Sequence, residues 1–180
     1  MNNDALVAAL GLDAVAAVHG YRLAVIVEAD SRGHRLISQA LSDVVPVSSG
    51  VCMVIDPIDV RLNVVGSVGT GLAGATLAWA PSHGWSFSRP GAEPTFYTGP
   101  AATPLDLVPT PDDVVDWAVA DPAVGASTPP AGIELDDDPD AIRRLLSFIN
   151  PQRPVPVFDA FIPGSCPVVP PELRRNVTEG

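Results

Sequence analysis

The sequence predicts an α+β domain, in which a mainly antiparallel sheet is covered by helices and followed by a C-terminal helix and an extended proline-rich arm. The chain has 180 residues, a length that can bury a core without metals or disulfides. Short apolar runs succeed one another with connections too short for parallel crossovers. Of the 20 prolines, only Pro46 and Pro57 precede position 81, so regular structure is expected early and irregular structure late.

The N-terminal quarter is predicted to run helix, strand, helix. Residues 4–18 repeat apolar side chains at helical spacing, with Asp4 as a candidate N-cap and a bend at Gly11. Residues 21–29 are rich in β-branched side chains, which predicts a strand. Residues 34–45 carry apolar side chains three and four apart, which predicts a second helix.

Short strands and two capped helices are predicted to follow. The strands are expected within residues 51–56, 59–68, 75–80, 84–88 and 95–98. Each helix begins with a capping residue and a proline, Thr110 with Pro111 and Asp138 with Pro139. The first of these helices is expected to bury Trp117 against the sheet, together with Val114, Val115 and Ala118.

This pattern predicts a core domain with two appended segments. The expected parts are a core over residues 1–120, a loop over 121–137, an appended helix over 138–149 and an extended arm over 150–180. The arm alternates proline with apolar side chains and is too apolar for a solvated linker. We therefore expect it to pack on its own domain or on a neighbouring subunit, with candidate partner-binding residues Val155, Phe158 and Phe161.

Charge and composition exclude several function classes. The net charge is −11 and every cation is a scattered Arg, which argues against nucleic acid as a partner. The sequence shows neither a basic leader nor an apolar run of about 20 residues, so we expect a cytoplasmic protein without a membrane partner. Cys52 and Cys166 lack metal or redox spacing, and the three His are dispersed, so no metal or cofactor is expected.

A glycine-rich stretch has the spacing of a dinucleotide-binding loop. Gly69, Gly71 and Gly74 follow an apolar run as G-x-G-x-x-G. Pro81 would end any following helix within two turns, and Glu93 does not close an apolar strand. The stretch is therefore interpreted as a hairpin connection between two strands, and no nucleotide cofactor is expected.

One part of the chain resembles a known family. The resemblance rests on LAWAPSHGWSFS (77–88), FYTG (96–99) and VPTPDDVVDWA (108–118). Over about residues 76–118 these motifs resemble an uncharacterised small-domain family of high-GC actinobacteria. The resemblance implies a strand ending in Trp, a His-Gly-Trp turn into a second strand, and a proline-led helix. It implies no activity.

Three function classes remain open at this point. Trp79 and Trp85 flank a tight turn that contains His83; they form either part of the core or, on an exposed face, an aromatic platform for a ligand. The favoured function is a non-enzymatic protein-interaction or assembly module, including a subunit of a larger complex or a homo-oligomer. A small-molecule binder is the alternative, and a hydrolase or nucleotide-dependent enzyme is third. No catalytic residue is predicted, because Cys166 lies in an irregular tail rather than a nucleophile elbow.

Overall fold

A computed structural model of the chain describes residues 1–38, 44–47, 50–53, 60–67, 72–100, 102–120 and 126–149. The fold is α+β, with a five-stranded antiparallel sheet and four α-helices, as the sequence predicts. The helices are α1 (Asn3–Leu10), α2 (Leu12–Ser31), α3 (Pro111–Val119) and α4 (Pro139–Leu146). The strands are β1 (His34–Ser38), β2 (Val44–Val47), β3 (Gly50–Met53), β4 (Val60–Ser67), β5 (Thr76–Ala80), β6 (Gly84–Ser88) and β7 (Thr95–Phe96).

The main sheet has the strand order β1-β4-β5-β6-β7, and β2 pairs with β3 in a separate two-stranded sheet. Beyond β7 the backbone of Phe96 exchanges two hydrogen bonds with Ala126. Because β4 and β5 are antiparallel neighbours, the glycine-rich stretch joins them as a hairpin connection, which confirms that interpretation. Gly74 donates to the carbonyl of Val64 there, whereas Gly69 and Gly71 lie outside the described residues.

The N-terminal region differs from its prediction. Helix α2 continues to Ser31, so the strand predicted at 21–29 is wrong. Tyr21, Val25 and Ala29 are buried at intervals of four, and this burial outweighs the β propensity of the Val-Ile-Val run between them. The cap of α1 is Asn2 rather than Asp4; its side chain accepts a hydrogen bond from Ala5 at 2.9 Å.

The predicted bend at Gly11 is confirmed and separates α1 from α2. Gly11 has a φ of 59°, which an L side chain rarely adopts, and the two helix axes are bent by 119° there. Within the described part of the chain, no single helix has the length and apolar composition to cross a bilayer. The two helices satisfy that test only as this bent pair.

The helix predicted at 34–45 is also wrong, because the segment begins with strand β1. His34 and Leu36 are buried whereas Arg35 and Ile37 are exposed, which is the two-residue alternation of a strand with one face on the core. The spacing of Leu36, Ile37 and later apolar residues fits a helix in sequence, but it does not describe how this segment is buried.

Both proline-led helices are confirmed. The Thr110 hydroxyl accepts from the amide of Asp113 at 3.2 Å, and the Asp138 carboxylate accepts from that of Asp140 at 2.8 Å. Helix α3 buries Val114, Val115 and Ala118 as predicted. Trp117, which was also expected to be buried against the sheet, is only half-buried. Its ring packs edge-on against Phe87 of β6 and against Tyr97.

Helix α4 belongs to the main core. Ala141 and Leu145 are fully buried and join the same apolar cluster as the sheet and α2. The guanidinium of Arg144 donates to the Val108 carbonyl at 3.2 Å, and the Phe148 ring packs against Tyr21. The helix is thus held by both apolar and polar contacts, and it does not stand apart from the domain. The arm at 150–180 lies outside the described residues.

Gly20 marks the closest approach between α2 and the end of α4. A Cβ at this position would lie 1.9 Å from the carbonyl oxygen of Phe148 and 2.8 Å from its carbonyl carbon. The nearest atoms on the segment after α4 are both backbone, so no flexible side chain can move aside to make room for a Cβ. The packing of α2 on the C-terminal helix therefore depends on glycine here.

Gly20→Ala should destabilise the protein, although the same change in an open helix interior stabilises by about 0.5–1 kcal/mol. We expect a loss of about 1–3 kcal/mol, the usual cost of overpacking, measured by urea unfolding. Ala16→Gly, on the same helix, is the propensity control and should lower stability by about 0.5–1 kcal/mol. A Gly20→Ala variant more stable than the parent would contradict the close approach.

Candidate functional site

The two tryptophans of the predicted aromatic platform lie in the core. Trp79 and Trp85 are direct cross-strand partners on β5 and β6, and they are 1% and 0% exposed. The Trp79 indole N–H donates to the Leu107 carbonyl at 2.6 Å, and that of Trp85 donates to the Tyr21 hydroxyl at 2.9 Å. An aromatic platform for a ligand requires these rings on an exposed face. Because both are buried, the platform interpretation is corrected, and the alternative that the tryptophans belong to the core is supported.

Tyr21 connects the tryptophans to the rest of the core. Its hydroxyl donates to the carbonyl of Pro109 at 2.6 Å while it accepts from Trp85. Its ring meets those of Trp79 and Trp85 edge-on, each with centroids 5.9 Å apart. Burial raises the pKa of Tyr21 far above its ordinary value of 10.0, so the phenol is a neutral hydrogen-bonding group at physiological pH.

His83, at the turn between β5 and β6, is half-buried. Its ring stands edge-on to Phe96 with centroids 5.4 Å apart, and Nδ1 lies 3.0 Å from the Ser82 hydroxyl. Burial lowers the pKa of His83 below its ordinary value of 6.5, which keeps the ring neutral at pH 7. Its role in the structure is to cover Phe96 at one end of the sheet.

The sheet has a second face, directed away from the helical core, which we call the outer face. Strand alternation and pairing place on it a set of half-buried and exposed side chains: Arg35, Ile37, Arg61, Asn63, Val65, Thr76, Ala78, Ser86 and Ser88. Its centre consists of small residues, with a hydrogen bond of 3.0 Å from the Thr76 hydroxyl to the Asn63 side chain. No large side chain therefore projects from the outer-face positions of β5 and β6.

Two large apolar side chains stand at the β1–β4 end of the outer face. Ile37 is 48% exposed and Val65 is 50% exposed. Val65 is the extra residue of a β-bulge, since Arg35 pairs with Gly66 and Leu36 with Val64. Val65 continues the alternation of β4, in which Val60, Leu62 and Val64 are buried, and the bulge shifts the pairing of the residues that follow it.

Charge is segregated between the two sides of the molecule. The five strands of the main sheet contain no Asp or Glu, whereas Arg35 and Arg61 are exposed on the outer face. On the helical side, one guanidinium is surrounded by carboxylates: Arg32 pairs with Glu28 at 2.7 Å and with Asp112 and Asp116. These hydrogen bonds and charges raise the pKa of Arg32 further.

We call that second region the acidic patch and define it as Glu28, Asp112 and Asp116 around Arg32. Its members lie at the end of α2 and on the solvent side of α3, opposite the side chains that α3 buries. Three carboxylates around one cation leave the patch negative. Among the described residues, the helical side thus carries this patch, whereas the strands of the main sheet contain Arg35 and Arg61 but no carboxylate.

Other polar pairs have structural explanations. His34 Nδ1 lies 2.8 Å from the Ser67 hydroxyl, its cross-strand neighbour, and this contact gives a buried ring a partner. Arg22 donates to Nδ1 of His19 one turn away on α2, and burial lowers the pKa of both. No group of three metal-ligating side chains occurs among residues whose placement is described. Val155, Phe158 and Phe161 lie outside them.

Comparison with known proteins identifies no relative. No family model, curated protein or solved structure matches the chain. The resemblance to a small-domain actinobacterial family therefore stays a prediction.

Tyr21→Phe should destabilise the protein by about 1–3 kcal/mol, because it leaves the buried Trp85 N–H and the Pro109 carbonyl without this partner. Urea unfolding measures the loss. Tyr97→Phe is the matched control, since that ring is half-buried, and it should cost less than about 0.5 kcal/mol. Equal losses in the two variants would contradict the central role of the Tyr21 hydroxyl.

Tyr21 should also make the protein sensitive to alkali. Its pKa is raised in the folded chain, so its contribution to stability is complete below the ordinary value of 10.0 and is lost as the pH rises above it. Between about pH 8 and about pH 11 the free energy of unfolding should fall more for the parent than for Tyr21→Phe. Parallel pH profiles for the two proteins would show that Tyr21 ionises without unfolding.

Proposed function

We propose that this chain is a protein-interaction module that binds an acidic protein surface through the outer face of its sheet. The observation that carries the proposal is the contrast between this face and the rest of the molecule. Exposed Ile37 and Val65 stand beside Arg35 on the outer face of β1 and β4, two strands that contain no carboxylate, in a chain of net charge −11.

The composition of the outer face suits a protein partner. Exposed apolar side chains lose contact with water on binding, which stabilises a complex by about 25 cal/mol per Å². Arg is enriched in protein interfaces, because its planar guanidinium binds carboxylates at two points and its stem packs on apolar groups. Small side chains at Thr76, Ala78 and Ser86 let another backbone or helix approach the sheet closely.

A small-molecule binder that uses the tryptophans receives less support. Both indoles are buried, and both donate to protein oxygen atoms, so a ligand would have to displace Leu107 and Tyr21 from their hydrogen bonds. Small-molecule sites are concave and enclose most of the ligand, whereas Ile37 and Val65 are exposed side chains on the surface of a sheet. Exposed apolar side chains beside an arginine favour a macromolecular partner.

A photo-reactive p-benzoylphenylalanine at position 65 tests the proposal in living cells. Irradiation should attach a second polypeptide covalently, because position 65 lies within the bound surface. The same probe at position 12 is the control, since Leu12 is 61% exposed but lies at the start of α2 on the helical side. The position-65 product should be lost when Arg35→Glu is added, because a carboxylate would then face the acidic partner.

Two cross-linking results would contradict the proposal. An intermolecular product that forms equally at positions 65 and 12, or that survives Arg35→Glu, would reflect random collision. A probe at position 65 that reacts only within its own chain would mean that the protein's own remaining residues cover the outer face.

A further inference from the structure

We infer that the outward side of helix α2 is the docking site for the chain's own C-terminal arm, residues 150–180. This site lies on the helical side of the molecule and is separate from the outer face of the sheet. Helix α2 carries more apolar side chains than its core contacts cover, and the described chain ends beside them.

Helix α2 is apolar on two opposite sides. One side is buried in the core and carries Ala14, Val18, Tyr21 and Val25. The opposite side carries a series of side chains spaced four, three, four and four residues apart, which we call the α2 stripe: Leu12, Ala16, His19, Leu23 and Val27. A surface helix normally turns a polar side to water, whereas a helix that is apolar all round is normally covered all round.

The α2 stripe is only partly covered by the described residues. Leu12 is 61% exposed and Val27 is 66% exposed, at the two ends of the stripe. The members between them are half-buried. A cover over the stripe would remove this apolar area from water, which stabilises the covered form.

The described chain ends beside the α2 stripe. After α4, the backbone of Phe148 meets α2 at Gly20, and the Phe148 ring packs against Tyr21. Gly20 lies four residues after Ala16 and three before Leu23, so it is one turn away from two members of the stripe. Residues 150–180 therefore begin beside the middle of the stripe.

The arm has the length and composition to cover the stripe. From Leu12 to Val27 the stripe is about 22 Å long, and an extended proline-containing segment of about eight residues spans that length. Residues 155–162 form a run of this length with five large apolar side chains: Val155, Val157, Phe158, Phe161 and Ile162. Residues 150–154 can supply about 15 Å, which exceeds the roughly 12 Å from Gly20 to either end of the stripe.

The attachment of the arm beside the stripe favours this segment over any other apolar partner. Tethering makes docking an intramolecular step, with an effective concentration that a partner free in solution has to exceed. Prolines at 151, 154 and 156 restrict the segment before it docks, so less conformational entropy is lost on ordering. We therefore expect the arm to dock within one chain, without a second copy.

Photo-crosslinking of the purified full chain tests the site. A p-benzoylphenylalanine at position 27 should attach to residues 155–162, identified by mass spectrometry, and the product should keep single-chain mass at every protein concentration. Position 37 is the control, because Ile37 is 48% exposed on the outer face of the sheet. The product with the arm should be at least about ten times more abundant at position 27 than at position 37. It should be lost when Phe158→Ser and Phe161→Ser are added.

Thermal melts of full-length variants test the same contact without a probe. Val27→Ser should lower Tm by about 2–6 °C if the arm covers Val27, although Ser and Val have similar helix propensities and an exposed site would tolerate the change. Phe158→Ser with Phe161→Ser should lower Tm similarly, and the two changes combined should cost no more than the larger one alone. Leu173→Ser with Val177→Ser is the matched control in the arm, with a shift below about 1 °C.

Four results would overturn the inference. A position-27 product that joins two chains would make a second copy the occupant. Equal attachment of the arm at positions 27 and 37, or no attachment at position 27, would remove the preference for the stripe. Additive Tm shifts would show that Val27 and the two phenylalanines do not meet.

These outcomes are independent of the proposed function. None of them uses the probe at position 65, so the outer face is tested separately. Docking at the stripe also predicts that a probe at position 12 attaches only within its own chain, which keeps it a control for products between chains.

Discussion

The fold depends on the hydrogen bond that joins the Trp85 indole to the Tyr21 hydroxyl, and on the bond from that hydroxyl to the Pro109 carbonyl. These two contacts join three parts of the chain that are far apart in sequence: helix α2, strand β6 and the segment that leads into α3. Each group is buried, so each would cost free energy if left unpaired. Trp79 repeats the arrangement with the Leu107 carbonyl, and the aromatic rings fill the space between.

This network also explains why the tryptophans cannot serve as a binding surface. A core rich in Ala and Val has few large side chains, and the indoles supply much of its volume. Their N–H groups need partners inside; the 3₁₀ helix Pro104–Leu107 supplies the Leu107 carbonyl to Trp79, a group that a regular strand would use in its own ladder. The aromatic residues therefore specify how the helical layer sits on the sheet.

The sequence predicted the later half of the described fold better than the beginning. Strands β4 to β7 are bounded by turn residues, and α3 and α4 begin with a cap and a proline, so local chemistry identifies them. Helix α2 contains Val25, Ile26 and Val27, whose local preference favours a strand; only the position of Tyr21 and Val25 against the sheet makes the segment helical. Strand β1 shows the opposite conflict: the apolar residues of its segment have helical spacing in the sequence, but residues 34–38 form a strand.

The outer face could not be found from the sequence, since it is defined by pairing between strands. Arg35 and Ile37 fall within the segment predicted as a helix, and Val65 looks like one more apolar residue of a buried run. A shift of one residue in strand register would exchange its inner and outer side chains. The bulge at Val65 shifts the register between β1 and β4 by one residue locally, and no sequence pattern in β4 predicts it.

The separation of charge follows from secondary structure itself. Carboxylates are favoured at the first turns of helices, where Asp113 and Asp140 lie, and they are unfavourable within strands. An acidic two-layer protein therefore collects its negative charge on the helical side. That tendency alone would leave a neutral sheet. Arg35 adds a cation to that face, and Ile37 and Val65 add apolar area that solubility alone would not favour. The fold does not require these three side chains, and for that reason the proposed interaction surface is built on them.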